Sequence, residues 1–132
     1  MTQSQHSDRT PVFATYLLDD LEPTMLDFIK TNVNSFTKWD LIRFFYKNQH
    51  TIDTAEKIAQ YAGRTVPVIV RGLDDLVDSG IMVKRGVEGV LTYSLGNDEK
   101  TWALMSEFVS GCEDRDFRIK VEIVIKLCAW LD

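Results

Sequence analysis

Apolar residues recur along this chain at helical spacing, switch once to alternation, and then return to helical spacing. Pro23 suits the first turn of a helix that runs through Met25, Leu26, Phe28, Ile29 and Val33, with Asn32 and Asn34 ending it. Ser35 or Thr37 can cap a second helix reaching to about Asn48. Its Trp39, Leu41, Ile42, Phe44, Phe45 and Tyr46 lie on most sides, so it should be buried between neighbours. Asp53 with Glu56 forms a capping-box pattern for a third helix, with small apolar residues on one face and Gly63 at its end. Thr65 caps a fourth helix and Pro67 sits in its first turn. Ile69, Leu73, Leu76 and Val77 give that helix an amphipathic face, and Gly80 closes it.

Beyond Gly80 the period becomes two. Leu91, Tyr93 and Leu95 alternate with Val90, Thr92 and Ser94, the pattern of a strand. Its partner is Ile81–Arg85, and Gly86 and Gly89 bracket the tip between them. Asn97 and Asp98 mark a turn, after which Trp102, Met105, Phe108, Val109 and Cys112 restore helical spacing. The charged break Glu113–Asp116 precedes a last helix with apolar residues on more than one face. Ile119, Ile123 and Trp130 cannot share a stripe with Val121, Val124, Ile125 and Cys128. One stripe serves the protomer's own core. The other, with Leu127 and with Trp102 and Phe108 of the preceding helix, is expected at a two-fold homodimer interface.

These elements define an α+β, mostly helical chain divided into four segments. Residues 1–11 are polar and expected to form a flexible tail. Residues 12–35 form an N-terminal helical extension, 36–96 the central domain, and 97–132 a C-terminal helical dimerisation segment.

Charge adds one qualification. The 132 residues carry a net charge of −5, yet residues 36–96 hold eight basic and seven acidic side chains. The acidic excess thus lies in the flanks, and the centre permits nucleic-acid binding without requiring it. Hydrophobic residues make up 45%, enough for a core, but no apolar run reaches the roughly 20 residues of a membrane span. The N-terminus has no apolar signal core, so a cytoplasmic location and no membrane partner are expected. Cys112 and Cys128 are too few for a disulfide framework and are expected to be reduced and packed. His6 and His50 lack partners at metal-ligand spacing, and no glycine-rich phosphate loop or G-x-S-x-G elbow occurs. No metal, no cofactor and no enzymatic activity are expected.

The segment from TAEKIA (Thr54–Ala59) through VRGLDDLVDSGI (Val70–Ile81) to VLTYSL (Val90–Leu95) resembles the winged helix-turn-helix of small prokaryotic transcription regulators of the ArsR and MarR types. With the preceding helix the likeness covers about 60 residues. It implies a winged-helix fold and a transcription regulator that binds double-stranded DNA as a homodimer on a two-fold site. It places Arg64, Thr65, Val66, Val68 and Arg71 at the major groove and Lys84 and Arg85 on the wing. Residues 54–63 contain no Cys, so a metal-sensing role does not carry over. The competing expectation is an adaptor whose winged helix binds protein. It draws on the apolar Val66-Pro67-Val68 tip and on the acidic total charge; Asp74, Asp75 and Asp78 along the same helix would repel phosphates if they faced a duplex. The surface around Arg64, Arg71, Lys84 and Arg85 separates the two: a continuous positive strip favours DNA, an acidic or apolar surface favours protein.

Overall fold

The computed structural model describes residues 18–131. Within them lie six helices, α1 (Pro23–Asn32), α2 (Phe36–Lys47), α3 (Ala55–Ala62), α4 (Val66–Asp78), α5 (Glu99–Gly111) and α6 (Arg115–Leu131), and two strands, β1 (Met82–Val87) and β2 (Val90–Leu95). The chain is α+β and mostly helical, as its hydrophobic pattern implies. The tail expected at residues 1–11, and the first part of the N-terminal extension, lie outside the described residues.

Local chemistry fixes most boundaries. Ser35 caps α2 by accepting from the Lys38 N–H. At α3 the cap is Thr54, which accepts from the Lys57 N–H, not Asp53. The reason is tertiary: Asp53 exchanges two backbone hydrogen bonds with Tyr93 and so forms a short bridge to β2. Gly63 ends α3 in the left-handed conformation (φ 66°). At the end of α4 the Ile81 N–H bonds the Leu76 carbonyl and the Gly80 N–H bonds that of Val77. This closure requires the positive φ of Gly80 (91°).

The hairpin is longer than the alternation alone suggests. Pairing continues to Val87↔Val90, leaving Glu88 and Gly89 as a two-residue turn with φ of 50° and 84°. Two successive positive φ values match the right-handed twist of the flanking strands, and Glu88 accepts a conformation that glycine or asparagine adopts more easily.

One core joins these parts. Phe45, Leu41 and Ile42 of α2, Ile58 of α3 and Ile69, Leu73 and Leu76 of α4 are fully buried. α2 and α4 approach closely at Gly72, where an added Cβ would lie 3.0 Å from Leu41 Cδ1 and 3.4 Å from Thr37 Cγ2. On the other side of α2, Phe108 of α5 meets Phe28, Trp39 and Phe117 in tilted or edge-on ring contacts 5.8–6.4 Å between centroids. Val121, Val124 and Ile125 of α6 complete this half. Asp114 caps α6 through the Phe117 N–H, and Arg118 donates to the Cys112 carbonyl across the α5–α6 link. No described helix is long and apolar enough to cross a membrane.

Candidate interaction surface of α4 and the hairpin

The third helix, its short link and the fourth helix bring Arg64, Thr65, Val66, Val68 and Arg71 to one end of the molecule. Buried positions Ile69, Gly72, Leu73 and Leu76 define the inner face of α4. At 100° per residue, its outward face is centred on Pro67, Arg71, Asp74 and Asp78. Thr65, Pro67, Val68, Arg71, Asp75 and Asp78 are exposed, and Val66 and Asp74 are partly so. Thr65 is the N-cap residue of α4, but its side chain makes no capping bond.

The hairpin is locked against this helix by one carboxylate. Asp74 Oδ1 accepts from the Tyr93 hydroxyl at 2.9 Å and from Lys84 Nζ at 3.2 Å. Tyr93 is 3% exposed, and its phenol is held above its ordinary value by burial and then by its bond to Asp74. The hydrogen bond to Asp74 raises the Lys84 ammonium as well. Tyr93 therefore fastens the hairpin to α4, and the alternation of β2 marks it without revealing its partner.

The cations expected to meet DNA are placed unevenly. Arg64 donates to Asp40 of α2 and is two-thirds buried, with its Nε lacking a hydrogen-bond partner. Its charge is thus directed back to the molecule. Lys84 is directed to Asp74. Arg71 and Arg85 are exposed and form no ion pair among the described residues. Beyond Arg85 the hairpin becomes apolar: Val87, Val90 and Leu91 are each about half exposed. Among the described residues, carboxylates are interspersed with these cations: Asp40 pairs with Arg64, Asp74 pairs with Lys84, and Asp78 is exposed on the same face of α4 as Arg71.

The residues expected at a dimer interface also separate. Phe108 has no exposed surface and belongs to the protomer's own core, so the interface expectation fails for it: its ring fills the space between α1, α2 and α6. Trp102 is half-buried and stacks on Tyr46, whose hydroxyl meets Ser106 Oγ at 2.9 Å. Ile119 and Trp130 are exposed, and Ile123 and Leu127 are partly buried. These four lie at i, i+4, i+8 and i+11 on α6 and so share one stripe.

Neither cysteine is in a disulfide, and burial holds the Cys112 thiol above its usual range. Among the described residues, no group of three or more His, Cys, Asp or Glu side chains is arranged to hold a metal ion. No protein-family model matches the chain, and no curated protein matches it.

Proposed function

We propose that this chain is a winged-helix protein whose α4–hairpin face docks another protein. The observation that carries the reading is the composition of that face. Its centre on α4 is Pro67, Arg71, Asp74 and Asp78, and the wing beside it ends in the exposed Val87, Val90 and Leu91. A phosphate backbone rewards cations, and each contact it forms releases counterions. Carboxylates at the centre of the face oppose that gain, whereas an exposed apolar tip is the kind of surface that protein partners cover. The homodimer remains part of the reading, through the Ile119–Trp130 stripe of α6.

A second reading, DNA binding by a transcription regulator, has its own support. The helix, link, helix and hairpin follow the order of a winged helix. Thr65 leaves the first turn of α4 without a side-chain cap, and Arg71 and Arg85 are exposed and form no ion pair among the described residues.

The two readings separate in one pair of experiments. A photo-crosslinking residue at Leu91 should trap one predominant protein in the native cell, and Val87→Lys with Val90→Lys should abolish that adduct. The same residue at the exposed Lys126 of α6, outside the α4–hairpin face, should not trap it. A selection from random duplexes at low salt should give no enriched sequence. Enrichment that disappears with Arg71→Ala and Arg85→Ala would overturn the docking reading in favour of DNA.

A further inference from the structure

Beside α4, and whatever α4 itself meets, a groove of about 900 Å³ opens between the end of α1, the start of α2, the first half of α4 and the end of α6. In a chain of net charge −5, the charged residues lining it among those described are Lys30, Lys38 and Arg71 against the carboxylate Asp75. Asn34, Ser35 and Thr37 add polar groups, and Pro67, Val68 and Cys128 add apolar wall.

Lys38 is the unusual member. Its side chain is only 6% exposed, yet among the described residues its ammonium makes one hydrogen bond, to the Thr31 carbonyl at 3.3 Å, and one looser ion contact, to Asp75 at 3.6 Å. Three N–H donors are thus met by two distant partners, and a buried cation is normally paired more fully than this. Arg71 and Lys30 are exposed and form no ion pair among the described residues. Two helices also begin here. The first turn of α2 brings Ser35, Thr37 and Lys38, and the first turn of α4 brings Pro67 and Val68. Their N-terminal ends carry partial positive charge and open backbone N–H groups.

We propose that this groove binds a small phosphorylated molecule. The phosphate sits among Lys38, Arg71 and Lys30 at the two helix starts, and an apolar or ring-bearing body lies against Pro67 and Val68. A phosphate monoester carries close to two negative charges at neutral pH, matching the excess of cations over carboxylates, and its three oxygens suit donors converging from several directions. The volume falls in the range of small-ligand sites.

The test is an amide NMR titration of the full chain with glycerol phosphate, phenyl phosphate and adenosine monophosphate, with benzoate as the carboxylate control. Saturable shifts are expected at residues 35–38, 66, 68 and 71 for the phosphates, at millimolar or lower concentration. Arg71→Gln and Lys30→Gln change exposed side chains and should leave the fold intact while weakening binding about tenfold each. Lys38→Gln should abolish binding, and its folding is checked by the same spectra. No saturable shift at 20-fold excess over a millimolar ligand, shifts confined to other surfaces, or benzoate binding as tightly as phenyl phosphate would each overturn the proposal. Retention of full affinity in Arg71→Gln and Lys30→Gln would overturn it too. Pro67 and Arg71 belong to both surfaces, but none of these outcomes depends on the crosslinking at Leu91, so failure of one reading is distinguishable from failure of the other.

Discussion

Changing Tyr93 to phenylalanine removes one oxygen and nothing else, and so isolates the bond that fastens the hairpin to α4. The ring is 3% exposed and stays in place, so no cavity forms. What is lost is a 2.9 Å hydrogen bond to the Asp74 carboxylate. Hydrogen bonds to charged groups contribute about 1.5–3 kcal/mol when fully buried. The Asp74 side chain is 40% exposed and retains Lys84 and water, which places the loss below that range, at about 1 kcal/mol. For a chain of this size, with an unfolding entropy of roughly 0.28 kcal/mol/K, that corresponds to a fall in Tm of about 4 °C. Urea denaturation at pH 7 measures the free energy directly, and a double-mutant cycle with Asp74→Ala assigns it to the pair. The pH dependence gives a second, independent reading. Folding raises the Tyr93 phenol above its ordinary value of 10.0, so its contribution is whole below pH 10 and is lost as pH rises through the folded value. Lys84 is raised with the same sign but is present in both chains. The stability gap between the native chain and Tyr93→Phe should therefore be constant from pH 7 to 9 and shrink above about pH 10. A gap under about 0.3 kcal/mol at pH 7, or one that does not change on crossing pH 10, would refute the account of how the hairpin is held.

Two further outcomes follow from packing. Gly72→Val drives a branched side chain into Leu41, which is 1% exposed, and should lower stability by about 1–3 kcal/mol in thermal unfolding; an unchanged or higher Tm would refute the close approach of α2 and α4. The α6 stripe should make the native chain sediment as a dimer at tens of micromolar, and Ile119→Glu should return it to a monomer with an unchanged circular dichroism spectrum; a native chain that sediments as a monomer would refute the interface.

The amino-acid sequence by itself determined the order of the elements, because most boundaries are set by near neighbours in the chain. Ser35 meets the Lys38 N–H, Gly63 and Gly80 supply positive φ, and the change of apolar period after Gly80 marks the strands. It also separated the two stripes of α6, since helical phase alone assigns Val121, Val124 and Ile125 to one side and Ile119, Ile123 and Trp130 to the other. It misplaced the cap of α3 by one residue, because Asp53 is engaged by Tyr93, 40 positions away in the chain. Only tertiary structure decided which cations remain available. Arg64 and Arg71 look equivalent in one dimension, yet Arg64 folds back onto Asp40 from α2 and Arg71 faces solvent. The burial of Phe108, the sharing of Asp74 between Tyr93 and Lys84, and the groove that gathers Lys30, Lys38 and Arg71 were equally hidden. Helical and strand periodicity reports which side of an element turns inward; the identity of the side chain opposite depends on contacts between residues far apart in the chain, and those exist only once the helices have packed.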